Sequence, residues 1–188
     1  GAQGRNSVHA LFCELTEIKK IYATDILEES LDSFAAEMSS AYDVEVVKIK
    51  NLEEAICDSD IIVSGIPSDK TPDQQVIKKE WLKSNCTVFP VDLGVTFFDD
   101  AISDEVFDKS YTDDHAQFLH FQNDDFLVGL KKLPVEFGDM LTGKYPAREN
   151  HDERIVSVPP GTGLADLITA AAVYELATEK NIGTILRL

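Results

Sequence analysis

The chain has 188 residues, 44% of them apolar, and a formal net charge of −17 from 17 Lys and Arg against 34 Asp and Glu. That apolar fraction is ample for the core of one domain, or one and a fraction. The charge argues against nucleic acid or anionic membrane as a partner, since both need clustered Lys and Arg, and no apolar run approaches the roughly 18 residues of a membrane span.

Gly1-Ala2-Gln3-Gly4 matches the second half of a dinucleotide-binding G-x-G-x-x-G pattern, with Gly1 as its second glycine and Gly4 as its third. Glycines are needed there because the backbone approaches a pyrophosphate, which then rests on the N–H groups of a helix N-terminus. The plain alternative is an ordinary glycine-rich turn. A helical run over residues 7–15 follows at once, then a strand-like run over 20–24. Asp25 stands about 21 residues past the last glycine, where a carboxylate accepts hydrogen bonds from an adenosine ribose. Its charge repels a 2′-phosphate, and no basic residue stands beside it in Thr24-Asp25-Ile26-Leu27, so NAD is favoured over NADP. The strand that normally precedes the glycines is expected outside these residues, which then read as the cofactor half of a longer enzyme.

Residues 28–38 form an amphipathic helix with Leu31, Phe34, Ala35 and Met38 on one face. Residues 44–49 read as a β-branched strand, 52–57 as a short helix, and 60–64 as a buried strand ending at Gly65-Ile66-Pro67-Ser68. A turn-rich stretch and a helix around Trp81 lead to a strand over 87–91, which ends on Asp92. Wholly apolar strands separated by helices predict an α/β fold, Rossmann-like and doubly wound, with a mostly parallel sheet covered on both faces. Past Asp99 the pattern loosens. It suggests a strand within 105–111, a helical stretch over 113–130, and a short helix over 134–141 that begins with Pro and stops before Gly143. A charged loop over 148–154, a strand over 154–158 and a long Ala-rich helix over 161–180 complete the chain. All of 1–188 reads as one dinucleotide-binding domain, with 162–188 a C-terminal helix and tail.

In a parallel sheet, ligands lie beyond the carboxyl ends of the strands. Residues 1–4, residues 65–68 and Phe89-Pro90-Val91-Asp92-Leu93-Gly94 should therefore converge. Asp92, at a strand end and followed by Gly94, is expected to be partly desolvated yet open to the crevice, which suits proton transfer at an amine or imine centre. Equally, it could simply cap the following turn. Val158-Pro159-Pro160-Gly161-Thr162-Gly163 is a rigid loop that either aims backbone N–H groups at a ligand or is merely stiff. His115 and His120, beside Asp113 and Asp114, are spaced by five, which does not put two metal ligands on one helix face. Cys13, Cys57 and Cys86 are an odd count without metal-ligand spacing, each in or beside an apolar run. Reduced, partly buried thiols and a cytoplasmic location are the expectation.

These segments, in this order, resemble the ornithine cyclodeaminase/mu-crystallin family. The resemblance rests on Gly1-Ala2-Gln3-Gly4-Arg5, on Asp60-Ile61-Ile62-Val63 running into Pro67-Ser68, and on the Val91-Asp92-x-Gly94 strand end. Pro160-Gly161-Thr162-Gly163-Leu164-Ala165-Asp166-Leu167 and the tail from Ala172 to Gly183 extend it over essentially the whole chain. It implies a homodimeric, NAD(P)-dependent enzyme of amino or imino acids: a cyclodeaminase, an amino-acid dehydrogenase or a cyclic-imine reductase, with an N-terminal substrate domain expected outside these residues and 162–188 packing toward it. By position it would place Gly1, Ala2, Gln3 and Gly4 at the pyrophosphate and Asp25 at the ribose. Ile66, Pro67, Phe89, Pro90, Val91 and Asp92 would line the nucleotide crevice. Asp92 matches the family's catalytic aspartate, and Pro159 and Pro160 fall where cofactor and substrate are contacted. Two departures stand out: Thr96 sits where cyclodeaminases tend to carry a lysine, and Pro159 replaces a common serine. A non-catalytic dinucleotide-binding protein, of the mu-crystallin type, is the alternative from another class. No metal is implied.

Overall fold

The computed structural model describes residues 1–67, 69 and 71–186. Helix α1 (Ala2–Glu14) starts inside the glycine segment, with Gly1 as its N-cap, so the turn expected to precede the helix is its first turn. Strand β1 (Lys20–Ala23) leads to α2 (Glu28–Tyr42), which runs four residues past the expected end. Glu28 and Glu29 suit its positive N-terminus, Met38 is fully buried, and Asp43, in the left-handed region (φ 50°), closes it by donating its N–H to Ser39 O at 3.1 Å. Strand β2 (Glu45–Lys48) pairs in parallel with β1.

Helix α3 (Leu52–Asp58) and strands β3 (Ile61–Ser64) and β4 (Thr87–Pro90) follow the sequence reading closely. Then come β5 (Lys109–Thr112), α4 (His115–Asn123), β6 (Val135–Glu136), α5 (Phe137–Leu141), β7 (Ile155–Ser157) and α6 (Gly163–Glu179). Strands β3 to β7 form one wholly parallel sheet in the order β3-β4-β7-β5-β6, while β1 and β2 form a separate two-stranded sheet. Because every pairing in the larger sheet is parallel, its strands all deliver their carboxyl ends to the same edge. The core packs against it through Ile62, Val88, Val156, Phe97, Phe118 and Leu130.

Several expectations change. The helix around Trp81 is a single 3-10 turn, Lys79–Trp81. The strand expected within 105–111 begins only at Lys109, because Val106 and Phe107 are spent on a buried turn. Helix α4 stops at Asn123: Asp125 (φ 64°) and Leu127 (φ 54°) are left-handed, and Gln122 Nε2 turns back to donate to Leu130 O at 2.6 Å. The segment read as one short helix opens with two residues of strand, since Val135 lies opposite Tyr111 on the sheet. Of the cysteines only Cys86 is buried. Cys13 and Cys57 lie exposed in the last turns of α1 and α3.

The charged loop 148–154 ties down the amino end of β4. Arg148 donates to Asn85 O (3.2 Å) and Thr87 Oγ1 (3.1 Å), and Arg154 to Leu82 O (2.7 Å) and Lys83 O (3.1 Å). Among the described residues, no helix is long and apolar enough to cross a membrane.

Candidate functional site

The glycine segment, Asp25 and the ends of β3 and β4 meet around the start of α1. Gly1 N lies 3.7 Å from Asp25 Oδ2, and Asp25 Oδ1 accepts the N–H of Leu27 at 2.9 Å, which orients the carboxylate at the end of β1. A Cβ placed on Gly65 would stand 3.7 Å from Gln3 Cβ, so the β3 exit loop touches the first turn of α1. Gly1, Ala2, Gln3 and Gly4 are exposed, and no side chain caps the helix, which leaves its first N–H groups to a ligand or solvent. Gly1 has open space where a Cβ would be, and a Cβ on Gly4 would make only an ordinary contact, 3.9 Å from Phe34 of α2, so the local packing does not itself require glycine at either position. A half-buried carboxylate beside an uncapped helix start, with a glycine backbone between them, fits a diphosphate carrying a ribose.

From β3, Ile66 and Pro67 are exposed, and Pro67 O accepts from Gln74 Nε2 at 2.7 Å. Ser68 lies outside the described residues. From β4, Val91 is exposed, Phe89 half-buried and Pro90 buried, so Pro90 is framework rather than crevice wall. The N–H of Val91 donates to Ser64 O (2.9 Å) and Phe89 O (3.0 Å), which keeps the two strand ends in register.

Asp92 differs from its sequence description. Only 1% exposed, its carboxylate turns inward rather than opening to the crevice. Oδ1 accepts from Ser64 Oγ at 2.9 Å and from the N–H of Gly94 at 3.1 Å, and Oδ2 accepts from Thr96 Oγ1. The turn-capping alternative is thus real, through Gly94, but does not account for the two hydroxyls. The chain folds back sharply here, with Leu93 (φ 60°) and Gly94 (φ 81°) both left-handed. A leucine in that region is unusual, and such residues gather at sites where the surroundings hold the backbone in place. A cavity of about 140 Å³ adjoins the turn, lined by Gln75, Leu93, Gly94, Asp99, Phe126 and Leu127 among others.

Pro159 and Pro160, both half-buried, lead out of β7 at the same edge of the sheet. Their loop is anchored through Asp113, whose Oδ2 accepts the N–H of Gly161 at 2.9 Å; Asp113 Oδ1 is buried without a hydrogen-bond partner among the described residues. The sequence had weighed Asp113 only as a neighbour of two histidines. Those histidines have local partners: His115 Nε2 sits 2.7 Å from Pro134 O, and His120 lies 3.8 Å from Asp124. Ser64 and Thr96 were likewise legible only as a strand residue and as a departure from a lysine. No sequence signal marked them, since Ser64 comes opposite Pro90, two residues before Asp92, only through the parallel pairing of β3 and β4.

Residues 1–181 match the family described as ornithine cyclodeaminase/mu-crystallin. The N-((2S)-2-amino-2-carboxyethyl)-L-glutamate dehydrogenase of Staphylococcus aureus (strain NCTC 8325 / PS 47) is 25% identical over 198 residues, covering 100% of this chain and 56% of that protein. The Thermococcus litoralis Delta(1)-pyrroline-2-carboxylate reductase, solved with NADH and L-proline, superposes with a TM-score of 0.77 at 24% identity, over 99% of this chain and 58% of its own. An archaeal alanine dehydrogenase dimer with bound NAD gives 0.76 at 20% identity, over 100% and 58%. The chain spans little more than half the length of each of these proteins. It has their Rossmann-like fold, and it belongs to the ornithine cyclodeaminase/mu-crystallin family.

Proposed function

We propose, from that membership, that this chain is the cofactor-binding portion of an NAD-dependent enzyme acting on an amino or imino acid at the carbon bearing nitrogen. Its reaction is that of a cyclodeaminase, an amino-acid dehydrogenase or a cyclic-imine reductase. One observation carries the reading: the uncapped glycine start of α1 meets both Asp25 and the exit of β3, with Gly1 N 3.7 Å from the Asp25 carboxylate. Two of the similar solved structures hold NADH or NAD.

In this reading the backbone of Gly1, Ala2, Gln3 and Gly4 receives the pyrophosphate, the N–H groups matching its negative charge. Asp25 accepts from the ribose hydroxyls and disfavours a 2′-phosphate, so NAD rather than NADP is the cofactor. Ile66, Pro67, Phe89 and Val91 wall the crevice and exclude water, while Pro90 sets the strand end behind them. By its place at the end of β4 Asp92 is assigned the proton at the substrate nitrogen, which it reaches by turning from its inward, buried orientation, and Pro159 and Pro160 border cofactor and substrate. NAD, when bound, supplies hydride exchange with the carbon bearing nitrogen.

Helix α6 supports the remaining parts of the proposal. No residue of it is buried, and Leu164, Leu167, Ile168, Val173, Tyr174 and Leu176 are all exposed. An apolar face of that extent is covered in a working protein. We assign it, with the rest of 162–186, to packing against a substrate domain and a homodimer partner; residues 187 and 188 of the expected tail lie outside the described residues. The exposed thiols of Cys13 and Cys57 suit a reducing, cytoplasmic setting.

The test follows NADH absorbance and ammonia release from the full-length protein with ornithine, alanine and cyclic imino acids. Ammonia without net NADH change identifies a cyclodeaminase, and net NADH change a dehydrogenase or reductase. Silence on every substrate, with NADH still bound, overturns the enzymatic reading in favour of a binding protein.

A further inference from the structure

We infer that Arg5 is a positioning residue for the dinucleotide site, its guanidinium tying the glycine start of α1 to α2 and so setting where that start lies relative to Asp25. The inference rests on the proposed cofactor roles of residues 1–4 and Asp25 and deepens them.

All three guanidinium nitrogens of Arg5 are engaged. Nε donates to Glu37 Oε2 at 2.6 Å and Nη2 to Ser33 Oγ at 3.0 Å, both on α2. Nη1 donates to Gly1 O at 3.4 Å, the carbonyl of the residue that caps α1. Ser33 and Glu37 are one helical turn apart, so they stand on one face of α2 and meet the guanidinium together. Such a planar fork fixes direction as well as distance, which the single ammonium of a lysine does not. Asp25 is referred to the same helix, because its Oδ1 accepts the N–H of Leu27, the N-cap of α2. The pyrophosphate cradle and the ribose carboxylate are therefore both set from α2, one through Arg5 and the other through Leu27.

Among the described residues, little else holds the start of α1. The helix has no buried residue and no side-chain N-cap. On the sheet side, the β3 exit meets Gln3 only at van der Waals distance. Further ties to α2 come from later turns: His9 Nδ1 meets Tyr42 Oη, His9 Nε2 lies 3.9 Å from Glu37 Oε1, and the Phe12 ring stacks on Tyr42 with centroids 3.9 Å apart. Phe12 stands about 10 Å along the helix axis from Arg5, so it acts as a pivot rather than a clamp on the helix start. The side chains of Arg5 and Glu37 are 23% and 45% exposed, and ion pairs so open to solvent add little to folding stability. Their contribution is geometric, since a binding constellation has to be held to about 0.5 Å and a bound dinucleotide touches both ends of this one.

Fluorescence titration of NADH into the full-length protein compares the parent with R5M, R5K, E37A and D25A, and with R5M in the D25A background. The melting temperature of each is recorded beside it. R5M should weaken NADH about fivefold or more while Tm stays within about 4 °C of the parent, because the lost contacts act on the site rather than on folding. E37A should act in the same direction. R5K keeps the charge without the fork and should remain about threefold or more weaker than the parent. In the D25A background R5M should weaken NADH by less than about twofold, since no carboxylate is left to be placed. A contact that served only folding, or only lent charge to the phosphates, would act equally in both backgrounds. NADH affinities within about twofold of the parent in both R5M and E37A, with D25A weakened, overturn the positioning role and leave Asp25 as proposed. So does an equal loss from R5M in the two backgrounds. A D25A protein that binds NADH like the parent overturns the cofactor reading beneath it. Should R5M not fold, E37A in the two backgrounds carries the same comparison.

Discussion

Gly129→Ala should be the most damaging single methyl in the chain. A Cβ there would stand 2.1 Å from Ile102 O, 2.7 Å from Asp99 O and 3.0 Å from Ser103 Cβ. An ordinary carbon–oxygen contact is about 3.3–3.6 Å, so relief requires the backbone to part by roughly an ångström. Two of the three obstacles are main-chain carbonyls, and no side chain can swing aside. The segment cannot simply lift away either: Gly129 O accepts the Asp104 N–H at 3.2 Å, and Ile102, Leu127 and Leu130 are buried on either side. Overpacking an ordinary core costs about 1–3 kcal/mol, and a main-chain clash of this depth should cost about 4 kcal/mol. For a domain of this size each kcal/mol lowers Tm by about 2–4 °C, which gives a fall of roughly 8–16 °C. Gly138→Ala, within α5, is the matched control, with nothing within 4 Å of the new methyl and no positive φ, and should raise Tm by about 1–4 °C. Circular dichroism melts of both variants make the comparison. A Gly129→Ala protein melting within about 2 °C of the parent would mean that this packing of 99–103 against 129 is wrong. The same pieces support the Asp92 turn, since a Cβ on Gly94 would meet Ile102 and Leu127 at 3.2 Å.

Arg154→Met should destabilise by about 2–3 kcal/mol, because the carbonyls of Leu82 and Lys83 lose a charged donor and two short bonds; urea unfolding reads this out, and a change below about 0.5 kcal/mol contradicts it. Glu153 is held below the usual carboxylate range, chiefly by the Glu149 backbone N–H, with burial opposing and the Asn150 backbone and Lys109 assisting. Its stabilisation is present above its ordinary value of 4.5 and lost as pH falls below it, so Tm of Glu153→Gln should vary less than that of the parent over that acid limb. Burial pushes the Cys86 thiol up, so iodoacetamide should modify Cys13 and Cys57 in the native protein and reach Cys86 only on unfolding. Mass spectrometry of the labelled peptides checks this, and equal labelling of all three refutes it.

The first half of the fold was legible because its signals are local. Residues 61–64 and 87–90 are apolar runs too short for helices, and Gly1 and Gly4 start a helix as their motif requires. The second half was less so because its elements are fixed by tertiary pairing. Val135 and Glu136 follow a proline and precede helix-forming residues, and only the presence of Tyr111 opposite makes them strand. Helix α4 ends where Asp125 and Leu127 adopt left-handed backbone, and a leucine gives no warning of that. At the candidate site, the sequence pointed to Asp25 by its distance from the glycines and to Asp92 by its place at a strand end, but it could not say that Asp92 faces inward. That depends on Ser64 and Thr96, 28 and 4 residues away, being brought to opposite oxygens of one carboxylate.

In the proposed reading residues 1–4 and Asp25 together hold NAD. Fluorescence titration of NADH into the full-length protein, beside its Asp25→Ala variant, addresses it most directly. The account predicts saturable binding, weakened about tenfold or more by Asp25→Ala, together with a narrowed preference for NADH over NADPH as the repelling charge is removed. Equal NADH affinity in the two proteins, or no binding to either, would contradict it.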